Sequence, residues 1–193
     1  MLLKPKVTLI SYSQPPIPDE RRDLEDLIVY CARVSNPQNQ NIWETGSKLI
    51  EYLMKNNHWS PFEMVSVCLE IETTRDIARQ ILRHRSFSFQ EFSQRYADPT
   101  KDLDFAIRET RLQDAKNRQN SVETNNADLK YQWELIQKTL IGTCKHAYEW
   151  AVNNGIAKEQ ARAVLPEGLT MSRMYMNGTI RSWIHYCDLR MAN

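Results

Sequence analysis

The chain has 193 residues, with 25 lysines and arginines against 24 aspartates and glutamates, so its formal net charge at pH 7 is +1. This length suits one domain whose core needs neither disulfide nor metal, and we expect residues 1–193 to form it. The near-neutral charge argues against general nucleic-acid or membrane-surface binding, and the sequence shows neither a signal-peptide layout nor an apolar run near the roughly 18 residues of a membrane span.

The N-terminal third predicts one strand followed by two helices. Residues 7–12 alternate weakly between apolar and polar side chains, which is typical of an edge strand. Prolines then interrupt the chain at positions 15, 16 and 18. Apolar residues at helical spacing predict amphipathic helices over residues 23–35 and 47–57, with a polar loop between them.

The middle third predicts a strand, a helix and an irregular stretch. Apolar and polar residues alternate over residues 65–72, which predicts a half-buried strand. A helix follows from about Thr74 to Arg85, and Arg85 would extend its apolar stripe. The polar residues 98–128 predict a surface excursion of low order.

The C-terminal third predicts two helices separated by a strand. Apolar spacing from Leu129 to Ala151 predicts a long helix that stops at Asn154 and Gly155. Residues 169–178 predict a strand, and the chain is helical again from Thr179. All these elements favour an α+β fold (α/β mixed), a single domain in which helices flank a small mixed or antiparallel sheet.

An arginine-rich segment stands out. Residues 75–95 contain five arginines, two acidic residues and no lysine. A charge run is usually a solvated helix face, but arginine is preferred for two-pronged contact with phosphate or carboxylate. Arg85 would also lie on an apolar stripe, where an unpaired charge is costly to bury. We therefore predict an anionic-ligand site here, which a second basic set could join: Arg162, Arg173, Arg181 and Arg190.

Cysteine and histidine spacing excludes other chemistry. The four cysteines, at positions 31, 68, 144 and 187, are isolated in the sequence, which predicts reduced core thiols in a cytoplasmic protein. The four histidines have neither H-x-x-x-H spacing nor a cysteine partner, so we expect no metal site. No glycine-rich phosphate loop is present, so side chains would hold a phosphate.

Several segments resemble one enzyme family. Residues 83–96 read RHRSFSFQEFSQRY, an R-H-R triplet followed after seven residues by serine, with arginine two places further on. This pattern resembles the signature of the flavin-dependent thymidylate synthases. The segments CARVS (31–35), HWSPFEM (58–64), ARAVLP (161–166) and RSWIHYCDLR (181–190) are similar to other motifs of the family.

The resemblance implies an activity and an assembly. The implied reaction is conversion of dUMP to dTMP, with 5,10-methylenetetrahydrofolate as carbon donor, FAD as redox cofactor and NADPH as reductant. An α/β fold unlike that of the non-flavin thymidylate synthases is implied as well. The family forms homotetramers whose active sites are built from several subunits, so the two basic segments need not meet within one chain.

The resemblance also implies roles for individual residues. Contacts to dUMP are implied for Gln80, Arg83, Glu91, Ser93, Gln94, Arg95, Arg162 and Arg190. Contacts to FAD are implied for Ser35, His58, Ser60, Arg83, His84, Arg85, Glu91, Thr179, Arg181 and His185. Arg190 matches an arginine that polarises the uracil ring, a role that suits a guanidinium because it stabilises negative charge without acting as a base. No covalent enzyme nucleophile is then needed, and Ser93 serves as a ligand.

Two alternative functions remain open at this stage. A related enzyme on the same scaffold would add a different one-carbon group to a pyrimidine nucleotide, and it would need the same ligands side by side. A non-catalytic nucleotide- or flavin-binding protein would keep the fold, although a degenerate site should have lost some of its arginines. A nucleic-acid-binding module is disfavoured because the basic groups are local.

Overall fold

The computed structural model describes residues 4–14 and 23–191, and the structural statements below concern these residues. The predicted proline break at positions 15–18 lies outside them. The α-helices are α1 (Leu24–Ala32), α2 (Gly46–Lys55), α3 (Arg75–Ile81), α4 (Pro99–Asp102), α5 (Ala127–Asn153), α6 (Lys158–Ala161) and α7 (Ile180–Met191). The strands are β1 (Lys6–Tyr12), β2 (Ser66–Thr74), β3 (Ser88–Glu91), β4 (Arg111–Gln113), β5 (Ser121–Glu123) and β6 (Met171–Thr179). Short 3₁₀ turns span Pro37–Asn39, Ser60–Glu63 and Arg162–Val164.

The main sheet has the strand order β1-β2-β6-β3, and β4 pairs with β5 in a separate antiparallel hairpin. The Ser13 N–H donates to the Ser66 carbonyl at 2.9 Å, so the end of β1 lies beside the start of β2. The Ile180 N–H likewise donates to the Val65 carbonyl at 3.0 Å, which places the end of β6 beside the start of β2. Both pairs are therefore antiparallel, and the predicted α+β class is confirmed.

Helix α3 is shorter than predicted. It ends at Ile81, and the chain then turns toward β3, a strand that the sequence did not indicate. Arg85 is consequently outside any helix and exposed to solvent, so its predicted place on an apolar stripe was wrong. Local periodicity continued through the turn, but pairing of β3 in the sheet decided the backbone path.

Residues 98–128 are more ordered than predicted. The Asp98 carboxylate caps α4 by accepting from the Thr100 N–H at 3.0 Å. Residues 105–107 are buried, and the Ala106 N–H donates to the Leu169 carbonyl at 2.8 Å. The surface-excursion prediction was therefore wrong for residues 105–107, where a three-residue apolar segment is too short to show a period. Residues 111–120 are largely exposed, as expected.

The predicted long helix is confirmed as α5, but much of its apolar stripe faces solvent. The chain leaves the helix through Gly155, whose φ of 82° lies in the left-handed region that glycine adopts without strain. The buried side chains of α5 are Gln137, Tyr148 and Ala151. Ile136, which belongs to the predicted stripe, is 57 % exposed.

Two compact units can be distinguished among the described residues. The first comprises residues 4–7, 71–84 and 90–174, and the second comprises residues 8–14, 23–70, 85–89 and 175–191. The core of the first unit is formed by Phe105, Tyr148, Ala151, Ala161, Leu165 and Leu169. The core of the second unit is formed by Ile28, Leu53, Phe62 and Val65, with Trp59, Ile180 and Ile184 packed against it. The assignment of residues 1–193 to one domain remains a prediction.

All four cysteines have free thiols, as predicted. Burial raises the pKa of the Cys31 and Cys144 thiols, which lowers their thiolate fraction at neutral pH. Cys187 is exposed on α7 and the other three cysteines are half-buried, so the expectation of core positions was wrong. Within residues 4–14 and 23–191, no helix is both long and apolar enough to cross a membrane.

Gly178 in β6 has no side chain, and the Phe87 ring occupies the space that this leaves. A Cβ at this position would lie 2.4 Å from Phe87 Cδ1, and the Phe87 ring packs edge-on against Trp183 with centroids 4.8 Å apart. Because the ring must shift, we expect Gly178→Ala to lower the free energy of unfolding by about 1–3 kcal/mol. Urea denaturation measures this change.

Gly142 provides the matched control for that substitution. It lies within α5, and a Cβ there would meet nothing within 4 Å. Gly142→Ala should therefore be neutral or stabilising, because alanine favours helix. Equal stability of the Gly178 variant and the wild type would mean that Phe87 moves at no cost.

Candidate active site

The arginine-rich segment begins on α3, in the first unit, with two arginines four residues apart. Arg79 Nη2 lies 2.7 Å from Glu167 Oε1, and Arg75 Nε lies 3.6 Å from the same oxygen. Arg75 is buried, with 9 % of its surface exposed, whereas Arg79 is exposed. Arg75 is thus not part of a solvated face, whereas Arg79 pairs at the surface with a carboxylate far along the chain.

These arginines open onto a pocket of about 250 Å³. It is lined by Arg75, Arg79, Gln94, Arg162, Ala163, Leu165 and Glu167. The structure therefore brings together Gln94 and Arg162, two of the residues to which the sequence assigned dUMP contacts. Of the second basic set, Arg162 lies with Arg75 and Arg79 in this pocket, as expected. Arg173 instead pairs with Glu72, Nη2 to Oε1 at 2.7 Å.

Glu91, predicted to contact both ligands, is held at the end of β3. The Ser172 hydroxyl on β6 donates to Glu91 Oε1 at 2.8 Å, and Ser172 is 1 % exposed. Arg75 Nη1 lies 3.6 Å from the same oxygen. The Ser172 hydroxyl thus holds this carboxylate oxygen by a hydrogen bond, and the nearby guanidinium charge adds an electrostatic attraction.

Ser93 and Arg95 lie in the turn that follows β3. The Ser93 hydroxyl accepts from the Arg95 backbone N–H at 3.4 Å. The Arg95 guanidinium pairs with Glu159 on α6, Nε to Oε2 at 3.0 Å, and both side chains are largely exposed. Lys158 Nζ also donates to the Tyr96 carbonyl at 3.0 Å. Two residues of α6 thereby hold the turn.

Gln80, Arg83 and His84 cluster at the end of α3, also in the first unit. Gln80 occupies the last turn of the helix, and the Arg83 N–H donates to its carbonyl at 3.4 Å. The side chains of Gln80 and Arg83 are exposed, and His84 is half-buried. Of the residues predicted to contact dUMP, all belong to the first unit except Arg190.

In the second unit, three predicted flavin contacts converge on one turn. Ser60 opens the 3₁₀ turn Ser60–Glu63, and Glu63 forms an ion pair with Arg181 on α7. His185, one helical turn after Arg181, packs on the Trp59 ring with centroids 4.7 Å apart. Arg181 and His185 therefore lie on the same side of α7, facing the turn.

Packing explains why the turn and α7 meet. Pro61 is the second residue of the turn, and its fixed φ suits this helical start. The next residue, Phe62, is 1 % exposed and belongs to the core of the second unit. Ile180 and Ile184 of α7 pack against that same core. Burying these apolar residues directs the polar residues between them toward the turn.

The remaining predicted flavin residues of the second unit lie at separate places. The Thr179 hydroxyl accepts from the Ser182 N–H at 3.3 Å at the start of α7. His58 stands edge-on to Tyr52, with ring centroids 6.0 Å apart. Ser35 lines a pocket of about 600 Å³ between the end of α1 and the start of α2. Arg85 is exposed.

The residues around the Ser60–Glu63 turn suit a flavin dinucleotide. Such a cofactor presents phosphate oxygens and flat aromatic rings. Arg181, His185 and Ser60 supply guanidinium, imidazole and hydroxyl groups that bind phosphate or ring heteroatoms, and Trp59 supplies an aromatic surface. In the part of the chain that the structure describes, no group of three or more His, Cys, Asp or Glu side chains could hold a metal ion.

Arg190 lies in the last turn of α7 in the second unit. Its guanidinium carbon is 5.7 Å from the centroid of the Tyr186 ring, one helical turn earlier. That ring stands edge-on to Phe87 at 5.9 Å and to Trp183 at 6.0 Å. The guanidinium therefore rests on an aromatic cluster, a favourable cation–π arrangement.

Sequence reasoning missed four side chains that shape these sites: Trp59, Glu63, Glu167 and Ser172. Trp59 and Glu63 belong to the HWSPFEM segment, so that motif was a usable signal for them. Ser172 lies in an ordinary strand and Glu167 in a loop, and no local pattern distinguishes either residue. Their roles depend on long-range contacts with β3 and α3.

Comparisons with known proteins identify the family of this chain. The sequence profile of the family described as thymidylate synthase complementing protein matches residues 17–193. A protein of Paramecium bursaria Chlorella virus 1 named "Probable flavin-dependent thymidylate synthase" is 46% identical over 185 residues, covering 96% of this chain and 84% of that protein. The flavin-dependent thymidylate synthase of Synechocystis sp. is 47% identical over 186 residues, covering 95% of this chain and 84% of that protein.

Solved structures show the same fold. Crystal structures of the UMP/dUMP methylase PolB from Streptomyces cacaoi, bound with 5-Br dUMP or 5-Br UMP, superpose with TM-scores of 0.75 and 0.76. Each is 26% identical and covers 95% of this chain and about three quarters of that chain, 76% and 75%. Its sequence motifs, its profile match and its relatives show that the chain belongs to the flavin-dependent thymidylate synthase family.

Proposed function

We propose that this protein converts dUMP to dTMP, taking the carbon from 5,10-methylenetetrahydrofolate and the reducing equivalents from NADPH through FAD. The observation that carries the proposal is the pocket where Gln94 and Arg162, from distant motifs, meet beside Arg75 and Arg79. A transferred methylene must gain two electrons to become a methyl group, so the reaction needs a redox cofactor beside the nucleotide. FAD supplies that hydride chemistry when it is bound.

The first unit would bind the nucleotide. Arg162 and Arg95 bind the phosphate, and Ser93 adds a hydroxyl donor. Gln80 and Arg83 contact the nucleotide from the end of α3. Glu91, held by Ser172, accepts hydrogen bonds from the sugar or from the flavin. Ser93 acts as a ligand, since the sequence carries no signature of a base that would activate it as a nucleophile.

The residues that the family motifs assign to FAD would bind it. Ser60, Arg181 and His185 contact it from the Ser60–Glu63 turn and from α7. The family motifs also assign FAD contacts to His58, Ser35 and Thr179. Arg85, Arg83, His84 and Glu91 contribute from the R-H-R segment and β3. The donor character of the groups around the turn supports this assignment, as does membership in a family named for its flavin dependence.

Arg190 would activate the pyrimidine. Its guanidinium stabilises the negative charge that develops on the uracil ring as C5 becomes nucleophilic. A guanidinium stays protonated at neutral pH, so it acts electrostatically and does not exchange a proton. Placing it on the aromatic cluster of Tyr186, Phe87 and Trp183 limits its motion and lowers the reorganisation needed in the transition state.

A homotetramer with shared active sites is part of the proposal. Strand β1 is exposed over all seven residues, with Val7 at 60 %. Helix α5 exposes Trp133, Ile136 and Leu140 on one side, an apolar stripe that a subunit contact would cover. Light scattering of the purified protein tests the assembly.

A cytoplasmic location is supported by the free state of the four cysteines.

A product assay tests the proposed reaction. Purified protein receives dUMP, methylenetetrahydrofolate, FAD and NADPH, with each component omitted in turn, and mass spectrometry identifies the nucleotide product. A product heavier than dUMP by one methylene unit that requires all four components supports thymidylate synthesis. An oxygenated heavier product would indicate transfer of a different one-carbon group. Flavin-loaded protein without product would indicate a non-catalytic binding protein.

The same assay is run with UMP in place of dUMP, because PolB is described as a UMP/dUMP methylase.

The Arg95–Glu159 pair gives two substitutions with opposite expected effects. Arg95→Ala should weaken dUMP binding by about 1.5–3 kcal/mol, because a charge-assisted contact to phosphate is lost. Glu159→Gln removes the carboxylate that now competes for the guanidinium at 3.0 Å, so it should tighten dUMP binding. Calorimetric titration of dUMP measures both. Identical affinities in the three proteins would exclude Arg95 as a phosphate ligand.

A further inference from the structure

Ser172 is a polar residue on the buried face of β6. Buried and less buried positions alternate along this strand, and Ser172 and Met174 are 1 % and 0 % exposed. A hydroxyl in such surroundings costs free energy unless it forms a hydrogen bond. The Ser172 hydroxyl donates to Glu91 Oε1 at 2.8 Å. The backbone keeps these two residues side by side, since the Phe92 N–H donates to the Arg173 carbonyl at 2.8 Å.

Among the described residues, the Ser172 hydroxyl is the only hydrogen-bond donor to the Glu91 carboxylate. Arg75 Nη1 lies 3.6 Å from Oε1, which is too far for a hydrogen bond, and Nη1 has no hydrogen-bond partner. The second oxygen, Oε2, accepts from none of residues 4–14 and 23–191, although only 20 % of the side chain is exposed. A carboxylate offers about four acceptor positions, so Glu91 keeps one oxygen for a donor that the described chain does not supply.

The same hydroxyl keeps the Glu91 carboxylate from turning toward Arg75. A hydrogen bond between guanidinium and carboxylate forms at about 2.7–2.9 Å and is roughly twice as strong as a neutral one. Once nothing holds Oε1 in place, the carboxylate gains free energy by closing the 3.6 Å gap to Nη1. That movement would change the direction in which Oε2 points.

We propose that Ser172 is a positioning residue, whose hydroxyl holds Oε1 of Glu91 so that Oε2 accepts a hydrogen bond from the bound nucleotide. The proposal rests on the proposed function, in which Glu91 is a ligand residue, and it adds a residue that the family motifs do not assign. The nucleotide is the donor because residues 93–95, which follow Glu91 in the chain, carry implied contacts to dUMP. A small misplacement of a ligand-binding group weakens both binding and turnover.

A double-substitution cycle separates positioning from general packing. Flavin-loaded wild type, Ser172→Ala, Glu91→Ala and the double variant are titrated with dUMP by calorimetry. Ser172→Ala should weaken dUMP binding about 10-fold, because the acceptor is no longer held in place. In the Glu91→Ala background the same change should cost less than about twofold, because the hydroxyl then has no carboxylate to hold. Ser172→Thr keeps the hydroxyl and suits a strand, so it should retain most of the affinity.

Ser121→Ala is the matched control. The Ser121 hydroxyl accepts from Arg111 Nε at 2.8 Å on the β4–β5 hairpin, so this variant also loses a hydrogen bond of that length to a charged partner. Its dUMP affinity should equal that of the wild type. An equal loss on removing the Ser172 hydroxyl in both backgrounds would overturn the proposal, because a packing defect does not depend on Glu91. Unchanged dUMP binding in Ser172→Ala, or a loss confined to flavin content, contradicts it as well.

Turnover is measured separately from binding. In Ser172→Ala, kcat/KM for dUMP should fall together with the affinity, and Ser172→Thr should recover both. A wild type that shows the expected coupling between Ser172 and Glu91 in dUMP binding, but forms no dTMP, would support the positioning role and contradict the proposed reaction. A wild type that does not bind dUMP would contradict both. Circular dichroism confirms that each variant is folded before titration.

Discussion

Replacing Arg190 with alanine is expected to reduce dTMP formation at least about 100-fold, the usual cost of removing one donor from a developing oxyanion. In the proposed reaction this guanidinium stabilises the negative charge that develops on the uracil ring. Flavin content should stay close to that of the wild type, because Arg181 and His185 hold their contacts one or more turns away on α7. The measurement is kcat for dTMP release together with the flavin absorbance of the purified variant.

Two further variants sharpen this result. Arg190→Lys keeps the positive charge but loses the planar donor array, so it should recover only part of the activity. Lys138→Ala removes a cation that pairs with Glu134 at 2.7 Å on the exposed face of α5, and it should retain full activity. Unchanged kcat in Arg190→Ala would exclude the ring-polarising role. Loss of flavin together with activity would point to a binding role instead.

Replacing Phe62 with alanine is expected to destabilise the protein by about 3–5 kcal/mol, the range found for phenylalanine truncations in cores. Phe62 is 1 % exposed, packs on Trp59 with centroids 5.7 Å apart, and lies in the turn whose Glu63 holds Arg181. The cavity would loosen this turn, so flavin binding should weaken as well. Thermal denaturation and flavin titration measure the two effects.

The conservative variant serves as its control. Phe62→Leu keeps most of the apolar volume and should cost less than about 1.5 kcal/mol. Its flavin affinity should stay near that of the wild type because the backbone of the turn is retained. A Phe62→Ala protein as stable as the wild type would show that the core of the second unit does not depend on this ring.

Secondary structure was largely predictable where apolar periods were long. Strands β1, β2 and β6 and helices α1, α2, α5 and α7 all appear close to their predicted bounds, because hydrophobic spacing over many residues reflects burial on one side. Strand β3 was not predicted, since its four residues are too few to establish a period. The end of α3 was misplaced because the helical spacing of apolar residues continues through the turn that follows Ile81.

The candidate site was predictable in its residues but not in its contacts. The R-H-R motif and the segments similar to other motifs of the family named Glu91, Arg95 and Arg181 directly. Each of these is paired with a residue distant in the chain, namely Ser172, Glu159 and Glu63. A sequence pattern does not show which distant residues come close in space. The sequence therefore showed the local excess of arginine without the acidic partners that pair with it.

The amino-acid sequence by itself determined the fold class, the main helices and strands, and the family with its motif residues. It could do so because periodicity and motif spacing are properties of neighbouring residues. Only the tertiary structure decided that Arg85 is exposed, that residues 105–107 are buried, and that Arg75, Gln94 and Arg162 line one pocket. Burial and charge pairing depend on which segments pack together, and packing is decided by the balance of contacts over the whole chain.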